Sequence, residues 1–182
     1  MGRRTQEGET LEQYKQRMID PISESYCAAK WYNATIWLGH GQTASCHHPP
    51  GHWIPLEELK DNYTAIHNTK HKKLMRKYMQ EGKRPAECEY CWKVEDMGKN
   101  HVSDRTFKTE IFKDEDIHKS AEMPWDENVM LRTLEISFDR ACNFSCSYCN
   151  PAFSTAWVKD INTYGGYQNI QSDGRGHFVD TA

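Results

Sequence analysis

The sequence has few aliphatic residues, since Leu, Ile, Val and Phe together make up only about 15% of its 182 residues. That share is low enough to raise the possibility of disorder, but disorder also requires a high net charge, and the formal net charge here is −3. No run approaches the roughly 18 apolar residues of a membrane-spanning helix. The first residues also lack the apolar stretch of a secretion signal. We therefore expect a folded chain with no membrane partner, located in a reducing compartment, the cytoplasm.

Aromatic residues and cysteines are abundant instead, with six Trp, nine Tyr and seven Cys. Small proteins with little aliphatic core are commonly stabilised by disulfides or by bound metals. An odd number of cysteines, together with a reducing compartment, argues against a disulfide framework. The composition therefore predicts metal or cluster ligation.

Three of the cysteines form a C-x3-C-x2-C motif directly after the strongest predicted strand, residues 129–138. This spacing lets one short loop place three thiolates around an iron–sulfur cube, which normally takes four cysteines. A site with three protein ligands leaves one metal position open, as catalytic zinc sites do. The alternative is a zinc knuckle that takes its fourth ligand from a histidine such as His101 or His118. The three cysteines are Cys142, Cys146 and Cys149.

The other four cysteines lie in the first half of the chain. Cys88 and Cys91 are separated by two residues and can bind one metal from a turn, while Cys27 and Cys46 flank a predicted β-hairpin with Gly39 and Gly41 in its turn. Four thiolates suit either tetrahedral zinc or a closed iron–sulfur cluster. Their spacing does not choose between the two.

The three-cysteine loop, with the aromatic Tyr148 before its last cysteine, resembles the signature of the radical S-adenosylmethionine (SAM) superfamily. The resemblance implies that Cys142, Cys146 and Cys149 hold a [4Fe–4S] cluster, that SAM chelates its fourth iron, and that Tyr148 lies near the adenine. It further implies an oxidoreductase that cleaves SAM reductively to a 5′-deoxyadenosyl radical for hydrogen abstraction. A peptide or protein substrate and an electron donor such as flavodoxin or ferredoxin are the partners expected on this basis.

A second resemblance covers the four remaining cysteines. Tyr26-Cys27, Ser45-Cys46 and the run from Gly82 to Gly98 through Cys88 and Cys91 resemble a twitch domain, the short relative of the SPASM domain. Such modules carry auxiliary clusters in radical SAM enzymes, and some virus-encoded and environmental proteins have one ahead of the barrel. The resemblance implies that Cys27, Cys46, Cys88 and Cys91 ligate an auxiliary [4Fe–4S] cluster, so the chain is expected to hold two.

The expected architecture is α/β, the start of a partial (βα)6 radical SAM barrel preceded by a small α+β auxiliary-cluster domain. We assign residues 1–25 to a polar lead, 26–100 to the twitch-like domain, 101–127 to a charged helix or linker and 128–182 to the incomplete barrel. The chain ends 33 residues after Cys149, and the Gly-Gly-Glu segment of the family is missing. We therefore expect a fragment that is inactive alone.

Helical patterns are predicted over residues 68–80, 88–97 and 154–163. In the first of these, Leu74, Met75, Tyr78 and Met79 are expected to share a face. The segment Lys70–Arg84 carries seven basic residues and one acid, which is typical of the solvated face of an amphipathic helix.

The alternative function is a non-catalytic zinc-binding module that binds nucleic acid through the basic segment Lys70–Arg84. The radical SAM hypothesis needs no nucleic-acid partner. Near Cys46, His47, His48 and His52 have the side chains of metal ligands, but the adjacent Pro49-Pro50-Gly51 favours exposed loop residues.

Overall fold

The computed structural model describes residues 5–98, 101–151 and 153–166, and the backbone of residues 170–172 and 178–180. Sequence predictions for the first four residues of the polar lead and for the remaining positions of the barrel segment lie outside the described residues. The chain divides into two compact units, Met1–Ile136 and Ser137–Ala182. The predicted α/β class is confirmed, while the barrel remains a prediction.

The first unit combines short helices with a four-stranded sheet. Its helices are α1 (Leu11–Tyr14), α2 (Ala29–Tyr32), α3 (Leu56–Asp61), α4 (Lys70–Gln80), α5 (Glu89–Asp96), α6 (Asp104–Glu110) and α7 (Asp114–Glu122), and a π-helical turn, Lys15–Ile19, continues α1. Its strands are β1 (Asn33–Trp37), β2 (Gln42–Ala44), β3 (His52–Trp53) and β4 (Thr133–Ser137), in the order β3-β2-β1-β4.

The predicted hairpin is confirmed by β1 and β2, which pair antiparallel with Thr35 opposite Ala44 and Trp37 opposite Gln42. Gly41 lies in the connection at φ 64°, a backbone conformation that glycine adopts without steric cost. The strand is shorter than the aromatic pattern suggests, because Trp31 and Tyr32 end the helical turn α2. Trp31 is fully buried, and its ring centroid lies 5.1 Å from that of Tyr26.

Helix α4 confirms the predicted helix but presents a different face to the core. Thr69 caps it by accepting a hydrogen bond from the backbone N–H of Lys72. Met75 and Met79 are buried as expected, whereas Leu74 is exposed. Two of the basic residues, Lys72 and Arg76, are fully buried, so the interpretation of Lys70–Arg84 as a solvated basic face is wrong at these positions.

The charged segment before β4 folds as α6 and α7 and packs onto the first unit. Phe112 and Ile117 lie in the hydrophobic core with Tyr26 and Trp31. Arg105 is buried and donates to Glu95 over 2.6 Å, and its guanidinium also donates to the backbone carbonyl of Tyr26. These contacts bring the start of α6 close to the segment that carries Cys27.

The second unit contains helix α8 (Thr155–Tyr164) and a two-stranded antiparallel pair, β5 (Ile170–Ser172) and β6 (Phe178–Asp180). Ser154 caps α8 by accepting from the backbone N–H of Trp157, which confirms the predicted helix. The strand predicted over residues 129–138 is shorter in the structure, where β4 covers Thr133–Ser137 and the side chain of Phe138 just after it is largely exposed. Within the described residues, no helix has both the length and the apolar character needed to cross a membrane.

Candidate metal centres

The four cysteines of the first unit line one small cavity. Cys27 precedes α2, Cys46 follows β2, Cys88 ends the 3-10 turn Ala86–Cys88, and Cys91 lies in the first turn of α5. The cavity has a volume of about 20 Å³, whereas pockets for organic ligands measure roughly 300–1,000 Å³. It is therefore far smaller than a pocket for an organic substrate.

Local hydrogen bonds fix the segments that carry Cys46, Cys88 and Cys91. The side-chain amide of Asn33 donates to the carbonyl of Ser45 over 2.6 Å, which fixes the strand that precedes Cys46. The indole N–H of Trp92 donates to the carbonyl of Pro85 over 2.8 Å, across the turn that carries Cys88 and Cys91. The positions of Cys46, Cys88 and Cys91 are therefore set by backbone geometry and by packing.

The environment of the sulfurs suits thiolate ligands that lose their protons to a metal. Burial, together with the nearby Cys46, Cys88 and Cys91, raises the pKa of Cys27 to about 12. Burial likewise raises the pKa of Cys91 to about 11, while the backbone N–H of Arg105 donates to its sulfur and opposes that rise. Thiols of this kind stay protonated at neutral pH unless a metal replaces the proton.

Lys30 is a buried cation that lines this cavity. Two further buried cations lie on α4: Lys72 is close enough to Cys46 for the two to interact electrostatically, and Arg76 donates to the carbonyl of Lys30 over 3.1 Å. Lys30 forms an ion pair with Glu87, but no carboxylate in the described part of the chain pairs with Lys72 or Arg76. Lys72 donates to the carbonyl of Asn33 over 2.6 Å. Burial, then the charges of Arg76 and Lys30, hold the pKa of Lys72 well below its ordinary value, while Cys46 acts in the opposite direction.

The remaining three cysteines lie in the loop between β4 and α8, in the second unit. Each is half-buried, and α8 fixes the loop through backbone contacts. The N–H of Cys142 donates to the hydroxyl of Thr155 over 3.1 Å, and the indole N–H of Trp157 donates to the carbonyl of Cys146 over 3.0 Å. The backbone N–H of Cys149 donates to the same carbonyl over 2.9 Å, which closes a tight turn around Tyr148.

Tyr148 lies within electrostatic range of all three loop cysteines. A hydrogen bond with the sulfur of Cys146 raises the pKa of the phenol, and the charges of Cys146, Cys149 and Cys142 raise it further. The ring is 88% exposed. It therefore does not pack under the loop, and its face is available to a ligand.

A third group of ligand atoms comes from His47, His48 and Asp104, which lie within 4.8 Å of one another. In the described chain no three thiols are gathered that tightly. The sequence pattern showed the two histidines but not Asp104, which is far away in the chain and lies in a segment expected to be a charged helix or linker.

Comparison with known proteins adds no relative, since no family model, curated protein or solved structure matches the chain.

Proposed function

We propose that the chain is an iron–sulfur protein of the radical SAM type with two [4Fe–4S] centres. Cys27, Cys46, Cys88 and Cys91 form a closed auxiliary centre in the first unit. The three cysteines of the β4–α8 loop form an open centre in the second unit. The observation that carries the proposal is the convergence of four cysteines from separate segments on one small cavity beside buried cations.

The positive charge of buried side chains near the cavity favours the binding of an anionic group there. Buried charges are normally paired, because removing them from water costs several kcal/mol each. Lys72 and Arg76 have only neutral partners among the described residues, a backbone carbonyl for the first and carbonyl oxygens for the second. A metal centre with four thiolate ligands carries net negative charge, and it would supply a countercharge for Lys72, which already interacts electrostatically with Cys46.

Four thiolates suit either a [4Fe–4S] cluster or a single zinc ion, and the resemblance to a twitch domain is what favours the cluster. Hydrogen bonds to cluster sulfurs and burial are among the features that set the reduction potential. The backbone N–H groups of His48 and Arg105 make such contacts with Cys46 and Cys91.

The loop cysteines are suited to a centre that is open on one side. Cys142, Cys146 and Cys149 offer three thiolates from half-buried positions, and the exposed ring of Tyr148 provides a surface for the adenine of SAM. When bound, such a cluster supplies the electron that cleaves SAM to a 5′-deoxyadenosyl radical. The chain's own contribution is to hold the thiolates on a loop fixed by α8. A peptide or protein substrate and a flavodoxin or ferredoxin donor complete the proposal.

Metal analysis of the full chain tests this proposal. After anaerobic reconstitution with iron and sulfide, we expect brown protein with about eight irons and eight sulfides per chain, absorbing near 400 nm. Colourless protein that retains zinc and takes up no iron would contradict it and favour the zinc-module alternative. For the nucleic-acid part of that alternative, the burial of Lys72 and Arg76 leaves fewer basic side chains free to contact phosphates.

A further inference from the structure

We propose that His47, His48 and Asp104 bind a divalent transition-metal ion at the edge of the four-cysteine cavity, which His48 and Asp104 also line. The Nε2 atom of His48 lies 2.7 Å from Oδ2 of Asp104, and Nε2 of His47 lies 3.7 Å from the same oxygen. The ligand atoms of all three residues lie within 4.8 Å of one another. Two imidazoles and one carboxylate thus face a common point.

This donor set has a defined chemical preference. Two histidines and one carboxylate make up the facial triad of many mononuclear sites, which bind ions such as Fe²⁺, Co²⁺, Ni²⁺ and Zn²⁺ and leave positions open for water. Thiolate groups, in contrast, favour softer ions and iron–sulfur clusters. The proposed ion is therefore distinguished from the cysteine centres by the chemistry of its ligands.

The surrounding structure positions the three side chains. The ring of His48 stacks on Tyr90, with centroids 3.9 Å apart and planes 14° from parallel. Asp104 is the first residue of α6, so the helix backbone fixes its Cα. About half of the His47 side chain is exposed, which gives an ion a path from solvent.

Lys108, one helical turn after Asp104, lies close enough that its charge lowers the pKa of His47, after burial and His48. The same positive charge opposes binding of a cation, so the affinity depends on it. Replacing Lys108 with Gln is expected to tighten metal binding, because the repulsion is removed while much of the side-chain length is kept.

Titration of the metal-free full chain with Co²⁺ tests the site. We expect one Co²⁺ per chain beyond any that the cysteines bind, and this ion adds weak visible d–d bands without adding to the intense near-ultraviolet absorption of cobalt–thiolate bonds. His47→Ala and Asp104→Asn are each expected to weaken this binding by at least about tenfold, since even indirect ligand contacts are worth 10–100-fold. Asn keeps a hydrogen-bonding partner for His48 and removes only the charge, so the fold is preserved.

His40→Ala is the matched control, because His40 is an exposed histidine of the β1–β2 connection. It is expected to bind Co²⁺ like the wild type. Equal affinity in His47→Ala, Asp104→Asn and wild type would overturn the proposal, as would Co²⁺ whose spectrum shows thiolate ligation only. Iron incorporation into the cysteine centres is measured on separate samples, so failure of this site and failure of the iron–sulfur proposal are distinguishable.

Discussion

In a Cys142→Ala variant, SAM is expected to leave the EPR spectrum of the reduced, reconstituted protein unchanged. In the wild type we expect the open iron of the proposed loop cluster to accept SAM as a ligand and the signal of that cluster to shift. Cys142 is anchored by its backbone N–H to Thr155 at the start of α8, and its thiol is one of only three that the loop supplies. Without it the loop offers two thiolates, too few to retain a cluster with one open position.

Two control variants test whether the loss of the SAM response arises at the three loop cysteines. Ser147→Ala changes an exposed residue of the same loop and keeps all three thiolates, so it is expected to retain the full response. Cys88→Ser removes a ligand of the other centre, and the SAM-dependent part of the spectrum is expected to persist. If the triple variant at Cys142, Cys146 and Cys149 still responds to SAM, the open centre does not lie in this loop.

A Lys72→Met substitution is expected to stabilise the metal-free protein and to lower the reduction potential of the reconstituted protein. In the metal-free chain it removes a buried cation that has no carboxylate partner among the described residues, so the free energy of unfolding at pH 7 is expected to rise by about 1 kcal/mol or more. In the reconstituted protein it removes positive charge near an anionic centre. The reduction potential of the auxiliary cluster is then expected to fall, because reduction adds negative charge.

The pH dependence of the metal-free effect follows from the pKa of Lys72, which burial holds well below its ordinary value. A lysine whose pKa is lower in the folded chain destabilises the fold at low pH, where the unfolded chain takes up its proton more readily. That penalty fades as the pH rises towards the unfolded pKa of about 10.4. The stability gained from Lys72→Met is therefore expected to shrink from pH 7 to pH 9, as measured by urea denaturation.

Lys70→Met is the matched control for both effects. Lys70 lies on the same helix, but its side chain is exposed, so we expect a change in stability within about 0.5 kcal/mol and no change in potential. A Lys72→Met potential equal to that of Lys70→Met would show that Lys72 does not compensate a charged centre.

Local patterns in the sequence predicted much of the secondary structure. The hairpin of β1 and β2 follows from alternating residues around a glycine turn, and α4 and α8 follow from helical periodicity with Thr69 and Ser154 as caps. The same reasoning extended β1 too far, because Trp31 and Tyr32 have strand-forming side chains. Burial in the core holds them in a helical turn instead.

The candidate sites show where local patterns cease to be informative. Cysteine spacing predicted a group of four and a group of three, and the four line one cavity. Neither the burial of Lys72 nor the approach of Asp104 to His48 could be predicted from spacing, because each depends on packing between segments far apart in the chain. Basic residues on a helix have the sequence pattern of a solvated face whether or not an anionic site lies beneath them.

The division of the seven cysteines into a closed and an open centre is tested most directly by counting irons in two complementary variants. One variant replaces Cys142, Cys146 and Cys149 with Ala, and the other replaces Cys88 and Cys91 with Ser. After anaerobic reconstitution, with folding checked by circular dichroism, each is expected to retain about four irons of the roughly eight in the wild type. If the loop variant retained all eight, or if neither variant bound less iron than the wild type, the division into two centres would be contradicted.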